Sequence, residues 1–168
     1  ATNTSAPSTP GIHFFDNGNY HHMSKLWTDR VQEPFDLVVF DHHPDMQPPR
    51  FEGILSCGGW IKEVLDHNKF VQNVIVIGVA DHLVEEIRED LSQANAAEIL
   101  NRVQFVKESE LSAVTLDGFS PDRVHLTSHS TPVYISIDKD ALSTAEAATN
   151  WDQGSLTFEQ LAATLTHL

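Results

Sequence analysis

The sequence predicts an α/β fold, a three-layer α/β/α sandwich with a mainly parallel central sheet. Three observations support this prediction: β-rich runs alternate with helical stretches, the runs are apolar throughout, and 168 residues suffice for one sizeable core. A strand that is apolar on both faces must be covered on both faces, and the helices between parallel strands provide that cover. We expect a single domain at residues 11–168, after a flexible lead-in at residues 1–10.

In the first part of the chain, two strands and two helices are predicted. Residues 11–15 are rich in β-forming side chains and are predicted to form a strand, with a helix at residues 21–31 after it. Residues 36–40 are a second apolar run and therefore a second strand. Residues 60–67 are predicted to be helical.

The pattern continues with three further strands. Residues 71–79 give the clearest strand signal in the chain, and the amphipathic segment 82–93 is predicted to be the helix that follows. Residues 103–106 and 132–137 are predicted to be the fourth and fifth strands. Helical periodicity at residues 156–168 ends without a glycine cap or a following strand, which fits either a missing C-terminal portion or a terminal helix.

Composition excludes several classes of function. Ten Lys and Arg residues against 24 Asp and Glu give a formal charge of −14, which repels nucleic-acid phosphates and anionic lipid. No apolar stretch approaches the roughly 20 residues that a membrane helix needs. The lead-in has no secretory signal, and the single cysteine, Cys57, cannot form an intrachain disulfide. We therefore expect a cytoplasmic protein that binds neither nucleic acid nor membrane.

Potential metal ligands follow three of the five predicted strands. Asp41-His42-His43-Pro44-Asp45 follows residues 36–40, Asp138-Lys139-Asp140 follows residues 132–137, and the segment after residues 11–15 ends in His21 and His22. Ligands of open α/β sheets bind outside the carboxyl ends of the strands. The three segments are therefore expected to meet at one edge of the sheet.

Alternation of side chains along an extended backbone places Asp41, His43 and Asp45 on one side, with His42 on the other. Asp138 and Asp140 share a side for the same reason. Crowded carboxylates repel one another unless a cation lies among them, and two divalent ions balance four aspartates. Oxygen ligands with one or two imidazoles suit Mn²⁺ better than Zn²⁺, Fe²⁺ or Co²⁺, and the lack of cysteines excludes a thiolate site.

These motifs resemble those of a known family. The segment that begins at Asp41 is similar to the Asp-x-His-x-Asp motif of the arginase, agmatinase and formimidoylglutamase family, the ureohydrolases. The segment from Ser136 to Leu142 resembles the family's Ser-x-Asp-x-Asp-x-Leu motif, and residues 18–22 resemble its Gly-Gly-Asp-His element. The order of the motifs matches as well. The resemblance covers roughly residues 11–168 and implies an arginase-like fold.

The resemblance also implies a function and a set of ligands. It implies a hydrolase with two Mn²⁺ ions that cleaves linear C–N bonds of amidine or guanidine substrates by means of metal-bridged hydroxide. Asp41 and Asp138 would bridge the two ions. His21 and Asp45 would complete one site. His43 and Asp140 would complete the other.

The sequence departs from the family pattern in three places. Asn19-Tyr20 replaces the usual Gly-Asp. When this segment is aligned with the family element without a gap, His21 takes the position of the ligand, and His22 is the fallback. Residues 55–60 contain no histidine where the family has its proton-shuttling histidine, and Ser143 replaces the usual Asp-Pro. No catalytic residue is therefore assigned, and the resemblance supports a metal site and a hydrolase better than it supports arginine as the substrate.

Three alternatives remain open. The missing histidine allows a metal-binding pseudoenzyme of the same fold. Residues 38–43 look like the Asp-His-His motif of the DHH phosphoesterases, which are also manganese enzymes, but the Asp-x-Asp element of that family precedes the motif and here it follows. The segment around Asp138 resembles the first motif of haloacid dehalogenase-type phosphatases, which opens its domain rather than closing it. The expected partner is a small-molecule substrate, and association with further copies of the chain stays open.

Overall fold

The computed structural model describes residues 11–15, 18–48, 51, 53–94, 96–112, 126, 128, 130–166 and 168. The predicted lead-in at residues 1–10 lies outside this part of the chain. Within it the strands are β1 (Phe35–Phe40), β2 (Val71–Val79), β3 (Val103–Lys107) and β4 (Val133–Ile137). The α-helices are α1 (Met23–Thr28), α2 (Trp60–His67), α3 (Asp81–Gln93), α4 (Glu108–Ser112) and α5 (Phe158–Leu165). None of the helices described there has both the length and the apolar character to cross a bilayer.

The four strands form one parallel sheet in the order β3-β2-β1-β4. β1 lies between β2 and β4, and all six of its residues are buried. This explains why its sequence is apolar rather than alternating, since a central parallel strand contacts packed side chains on both faces. The predicted parallel sheet is confirmed.

Each face of the sheet carries its own hydrophobic core. On one face Leu37 and Val39 of β1 pack with side chains of α2 and α3, among them Trp60 and Ile87. On the other face Val38 and Phe40, the alternate residues of β1, pack with Leu111 of α4 and Leu161 of α5. Two apolar faces covered by helices make the predicted three layers.

Most elements lie where the sequence predicts them. The predicted bounds of α2 and β2 match the structure residue for residue, and those of the other three strands differ by one residue. The helix predicted at residues 21–31 is shorter, and the one predicted at residues 156–168 covers only α5, which begins at a capping box formed by Thr157 and Gln160. The five-residue helix α4 was not predicted.

The strand predicted at residues 11–15 is wrong. These residues pair with no strand in the described part of the chain, and the side chain of Phe14 is 91% exposed. Only His13 makes a ring contact there, stacked on Trp27 at a centroid distance of 3.9 Å. β-forming side chains specify a strand only where a neighbouring strand can pair with them, and none reaches this segment.

Gly78 interrupts β2 close to the carboxyl edge of the sheet. Its φ is +100°, and the register with β3 shifts beside it, between Ile77 and Val79. A Cβ at this position would lie 3.4 Å from the backbone oxygen of Asp41 and 3.3 Å from Cδ1 of Leu156. Glycine therefore serves here mainly the backbone conformation, and a Cβ would also crowd the end of the Leu156 side chain.

Replacement of Gly78 with alanine is expected to destabilise the fold by about 2–3 kcal/mol, because strain and crowding add. Gly53→Ala is the matched control, since Gly53 also has a positive φ, +76°, but nothing lies within 4 Å of its Cβ position. Strain alone is expected to make that change cost about 1 kcal/mol. Urea unfolding of both variants measures the difference, and equal losses would show that crowding against Leu156 adds nothing.

Candidate metal centre

Asp41 and Asp138 lie side by side at the carboxyl edge of the sheet. Each directly follows its strand, and the last residues of β1 and β4, Phe40 and Ile137, are paired. The ladder continues one step further, because the Asp41 N–H donates to the carbonyl of Ile77 at 3.1 Å and the Asp138 N–H donates to that of Phe40 at 2.9 Å. The backbone that presents both carboxylates is therefore as well ordered as the sheet itself.

His21 approaches these carboxylates from the N-terminal segment. A single 3₁₀ turn, Gly18–Tyr20, precedes it, and the His21 N–H donates to the carbonyl of Gly18 at 2.9 Å. The imidazole is buried, and its Nδ1 lies 3.0 Å from Asp41 Oδ2, 3.1 Å from Asp45 Oδ2 and 3.5 Å from Asp138 Oδ2. One nitrogen and three carboxylate oxygens thus converge on one point.

A second group forms around His43. Its Nδ1 lies 3.4 Å from Asp41 Oδ1 and 3.2 Å from Asp140 Oδ2. Asp41 is common to both groups, and its two oxygens face different histidines, Oδ2 toward His21 and Oδ1 toward His43. A carboxylate in this position can serve two cations at once.

Asp45 reaches the first group through an unusual backbone conformation. Its φ is +47°, in the left-handed region that aspartate tolerates better than most residues. The Trp60 indole N–H donates to Asp45 Oδ2 at 2.7 Å, and the Asp45 carbonyl accepts from the Ile61 N–H at 3.0 Å. Helix α2 therefore holds both ends of this residue, and the left-handed turn brings its carboxylate back toward His21.

Backbone N–H groups orient three of the carboxylates. The His43 N–H donates to Asp41 Oδ1 at 2.7 Å, and the Asp140 N–H donates to Asp138 Oδ1 at 3.1 Å. The His42 N–H donates to Asp140 Oδ1 at 3.3 Å and so links the two loops. These bonds leave the Oδ2 atoms of Asp138 and Asp140 directed at the histidines.

Ser136 and Ser24 form a hydroxyl chain behind His21. His21 Nε2 lies 2.9 Å from Ser136 Oγ, which lies 2.8 Å from Ser24 Oγ. If Nε2 donates to Ser136, the lone pair of the neutral imidazole is on Nδ1 and faces the carboxylates. Fixing a tautomer through the second ring nitrogen is how metal-binding histidines are usually held.

The electrostatics of the cluster favour bound positive charge. Burial and the charge of Asp41 raise the pKa of Asp45 to about 8, and burial raises the pKa of Asp140 to about 6. Contacts with Asp140 and Asp41 raise the pKa of His43 to about 10. Burial alone would raise the pKa of Asp41, but the neighbouring imidazoles of His21 and His43 hold it well below its ordinary value. The carboxylates thus retain protons or attract other cations.

One buried atom indicates that a metal ion fits. His21 Nδ1 has no hydrogen bond of acceptable geometry, although three carboxylate oxygens surround it within 3.5 Å. It is one of three such atoms among the described residues, with Trp27 Nε1 and His42 Nδ1, and three carboxylate oxygens lie around it. A divalent cation among these ligands would give it a partner. Imidazole and carboxylate donors are the set that Mn²⁺ and Zn²⁺ accept.

The structure brings together all six residues that the sequence predicts as ligands: His21, Asp41, His43, Asp45, Asp138 and Asp140. His22, the fallback, points elsewhere, since its Nδ1 contacts the carbonyl of Asn19 at 3.1 Å. His42 is buried, with Nδ1 4.0 Å from Glu108 Oε2. The role of the six residues as metal ligands remains a prediction.

Sequence reasoning missed the contacts around the ligands. Ser136 is part of the Ser-x-Asp-x-Asp motif, so its bond to His21 could have been inferred from the resemblance. Trp60 carried no such signal, because a tryptophan at the start of a helix is more simply a core residue. Cys57 is half-buried near the site, and burial followed by the charge of Asp45 raises the pKa of its thiol.

Comparisons with known proteins found a matching family, a relative and a similar solved structure. The Arginase family model matches residues 15–167. A Thermotoga maritima protein described as uncharacterized is 30% identical over 162 residues, which are 96% of this chain and 54% of that protein. The fold resembles that of proclavaminate amidino hydrolase from Streptomyces clavuligerus, with a TM-score of 0.65, 21% identity, and coverage of 91% of this chain and 48% of that one.

The chain spans about half the length of the relatives that it matches. The family match nevertheless extends over nearly all of it and includes every segment that contributes to the metal centre. The chain belongs to the arginase family.

Proposed function

We propose that the protein is a hydrolase with two Mn²⁺ ions per chain that cleaves a linear C–N bond of a small amidine or guanidine. One observation carries the proposal: two imidazole–carboxylate groups share Asp41, each of whose oxygens faces a different histidine. Sites that hold two divalent ions close together are typical of metal-dependent hydrolysis. Membership of the arginase family and the activity named for the structural neighbour support the same class.

In this proposal Asp41 and Asp138 would hold both ions. His21 and Asp45 would complete one site. His43 and Asp140 would complete the other. When bound, the pair of ions supplies Lewis acidity and a nucleophile derived from water near neutral pH.

The surrounding residues hold this arrangement in place. The Trp60 N–H fixes one oxygen of Asp45, and Ser136 fixes the tautomer of His21. The large excess of acidic residues favours a cationic substrate over a phosphorylated one, which weighs against the DHH phosphoesterase alternative. A cytoplasmic location is part of the proposal and rests on the composition alone.

Asp41→Asn and Asp138→Asn are each expected to abolish stoichiometric binding of manganese, because each removes a charge that both ions share. The wild-type chain, loaded with Mn²⁺ and desalted, is expected to retain about two ions by elemental analysis. Asp66→Asn is the control, since Asp66 is an exposed residue that pairs with Lys62 on α2. A folded wild-type chain that retains no metal would contradict the proposal.

Ser136→Ala is expected to weaken binding of manganese by about tenfold without abolishing it, because loss of a group that orients a ligand costs 10- to 100-fold in metal affinity. Ser24→Ala is the matched comparison: Ser24 contacts Ser136 rather than His21, so its loss should have the smaller effect. Isothermal titration of both variants with Mn²⁺ gives the affinities. Equal affinities of Ser136→Ala and the wild type would show that the tautomer of His21 is fixed in another way.

Arginine, agmatine, guanidinobutyrate and formimidoylglutamate form the substrate panel, with ammonia and urea release as the measurements. We expect manganese-dependent turnover of at least one of them, and none by Asp41→Asn. A wild-type chain that binds two metal ions and hydrolyses nothing in the panel would favour the pseudoenzyme. Hydrolysis of a phosphodiester instead would favour the DHH alternative.

A further inference from the structure

A cavity of about 450 Å³ lies at the amino edge of the sheet, opposite the edge that carries the metal centre. It is lined by residues 65–69, by Val71 and Gln72 at the start of β2, and by Arg102, which precedes β3. Cavities that bind small molecules typically measure about 300–1,000 Å³. The nine residues of β2 separate this cavity from the carboxyl edge by roughly 25 Å. The cavity is therefore distinct from the metal centre.

Arg102 is held in a fixed orientation at this cavity. Its Nε donates to the carbonyl of Gln72 at 3.3 Å, Nη1 donates to that of Leu65 at 3.3 Å, and Nη2 donates to that of Val71. These bonds tie the end of α2 to the start of β2. A guanidinium has five N–H groups, so two remain, one on each terminal nitrogen. Because three carbonyls fix the plane of the group, its remaining donors are preorganised for a ligand.

The cavity carries positive charge that lacks a carboxylate partner. In the part of the chain that the structure describes, no carboxylate lies within ion-pair distance of Arg102 or of Lys69, whose ammonium lies instead 4.9 Å from the centroid of the Phe70 ring. Other lysines of the same region do pair with acids: Lys25, Lys62 and Lys107. In a chain with a formal charge of −14, two such cations in one cavity mark a local exception.

Negative charge around the cavity is already engaged. Asp66, the acid that lines it, pairs with Lys62 one turn earlier on α2, and the Nδ1 of His67 lies 3.2 Å from Glu63 Oε2. The carboxyl end of α2 adds partial negative charge, but Arg102 bonds one of the carbonyls there. A bound anion would thus meet cationic groups that are free to interact with it.

The lining indicates the kind of ligand. The fork of an arginine binds planar carboxylates and tetrahedral phosphates alike, and a lysine adds a point charge. Leu65 and Val71, both buried, add apolar surface to the same lining. Two cationic groups beside apolar surface suit an organic molecule with two negative charges better than an inorganic ion, which would leave most of the volume empty.

We propose that this cavity is a binding site for a small organic dianion, whose carboxylate or phosphate groups pair with Arg102 and Lys69. The site takes a ligand of the opposite charge to the substrate proposed for the metal centre. The inference does not rest on the proposed function, because none of the predicted metal ligands lines the cavity.

Lys69→Gln is expected to weaken binding of glutarate and of glycerol 3-phosphate to the manganese-loaded chain at least about fivefold, because it removes one of two charges that face the ligand. The wild type is expected to bind at least one of the two with a Kd of roughly 0.1–1 mM by isothermal titration. Lys107→Gln is the matched control, since it removes the same charge at the opposite end of the sheet, and should change the affinity by less than twofold. Equal losses in the two variants would show an effect of net charge alone and would overturn the inference.

Arg102→Lys tests the forked donors separately, because it keeps the charge and loses the planar group. We expect about tenfold weaker binding of the dianion. Urea unfolding shows whether the variant keeps the fold, since Arg102 also bonds three carbonyls. Unchanged affinity in a folded Arg102→Lys chain would overturn the inference, and Lys69→Gln decides it if Arg102→Lys does not fold.

Two further titrations locate the ligand and identify its chemistry. Asp41→Asn, which is expected to lack bound manganese, should bind the dianion as the wild type does, and glutaramide, the neutral counterpart of glutarate, should not bind. Tighter binding of glutarate would identify a dicarboxylate site, and tighter binding of glycerol 3-phosphate a phosphate site. Loss of binding in Asp41→Asn would place the anion at the metal ions and overturn the inference. Equal binding of glutaramide and glutarate, or absence of binding by both dianions, would also overturn it.

Discussion

The repulsion among four carboxylates at one edge of the sheet is the constraint on which the rest of the site depends. Asp41 and Asp138 cannot move apart, because the hydrogen bonds that extend β1 and β4 fix their backbones. Burial and, after it, the charge of Asp41 raise the pKa of the neighbouring Asp45 to about 8 and that of Asp140 to about 6. An arrangement of this kind is stable only if positive charge lies within it, and the nearest source in the chain is a pair of imidazoles. A divalent ion in each group would satisfy the same need more completely.

The framework around the carboxylates keeps them from relaxing. Gly78 supplies the positive φ at the carboxyl end of β2, the Trp60 N–H restrains Asp45, and Ser136 lies on the far side of His21. Trp60 bonds the Asp45 oxygen that faces His21 Nδ1, whereas Ser136 approaches the opposite ring nitrogen. They act by removing the rotamers through which the carboxylates could separate, and this preorganisation is what a binding site for two cations requires.

The sequence predicts the parts of this molecule that local chemistry decides. The bounds of α2 and β2 follow from periodicity and apolar content, and the ligand segments follow from their position after strands. Residues 11–15 have the composition of a strand, but none of the described strands pairs with them, and pairing is a property of the whole sheet rather than of the segment. The contact between Trp151 and His43 joins segments far apart in the chain. The position of the Asp45 carboxylate depends on a single residue with a positive φ. Neither leaves a pattern that spacing or composition can detect.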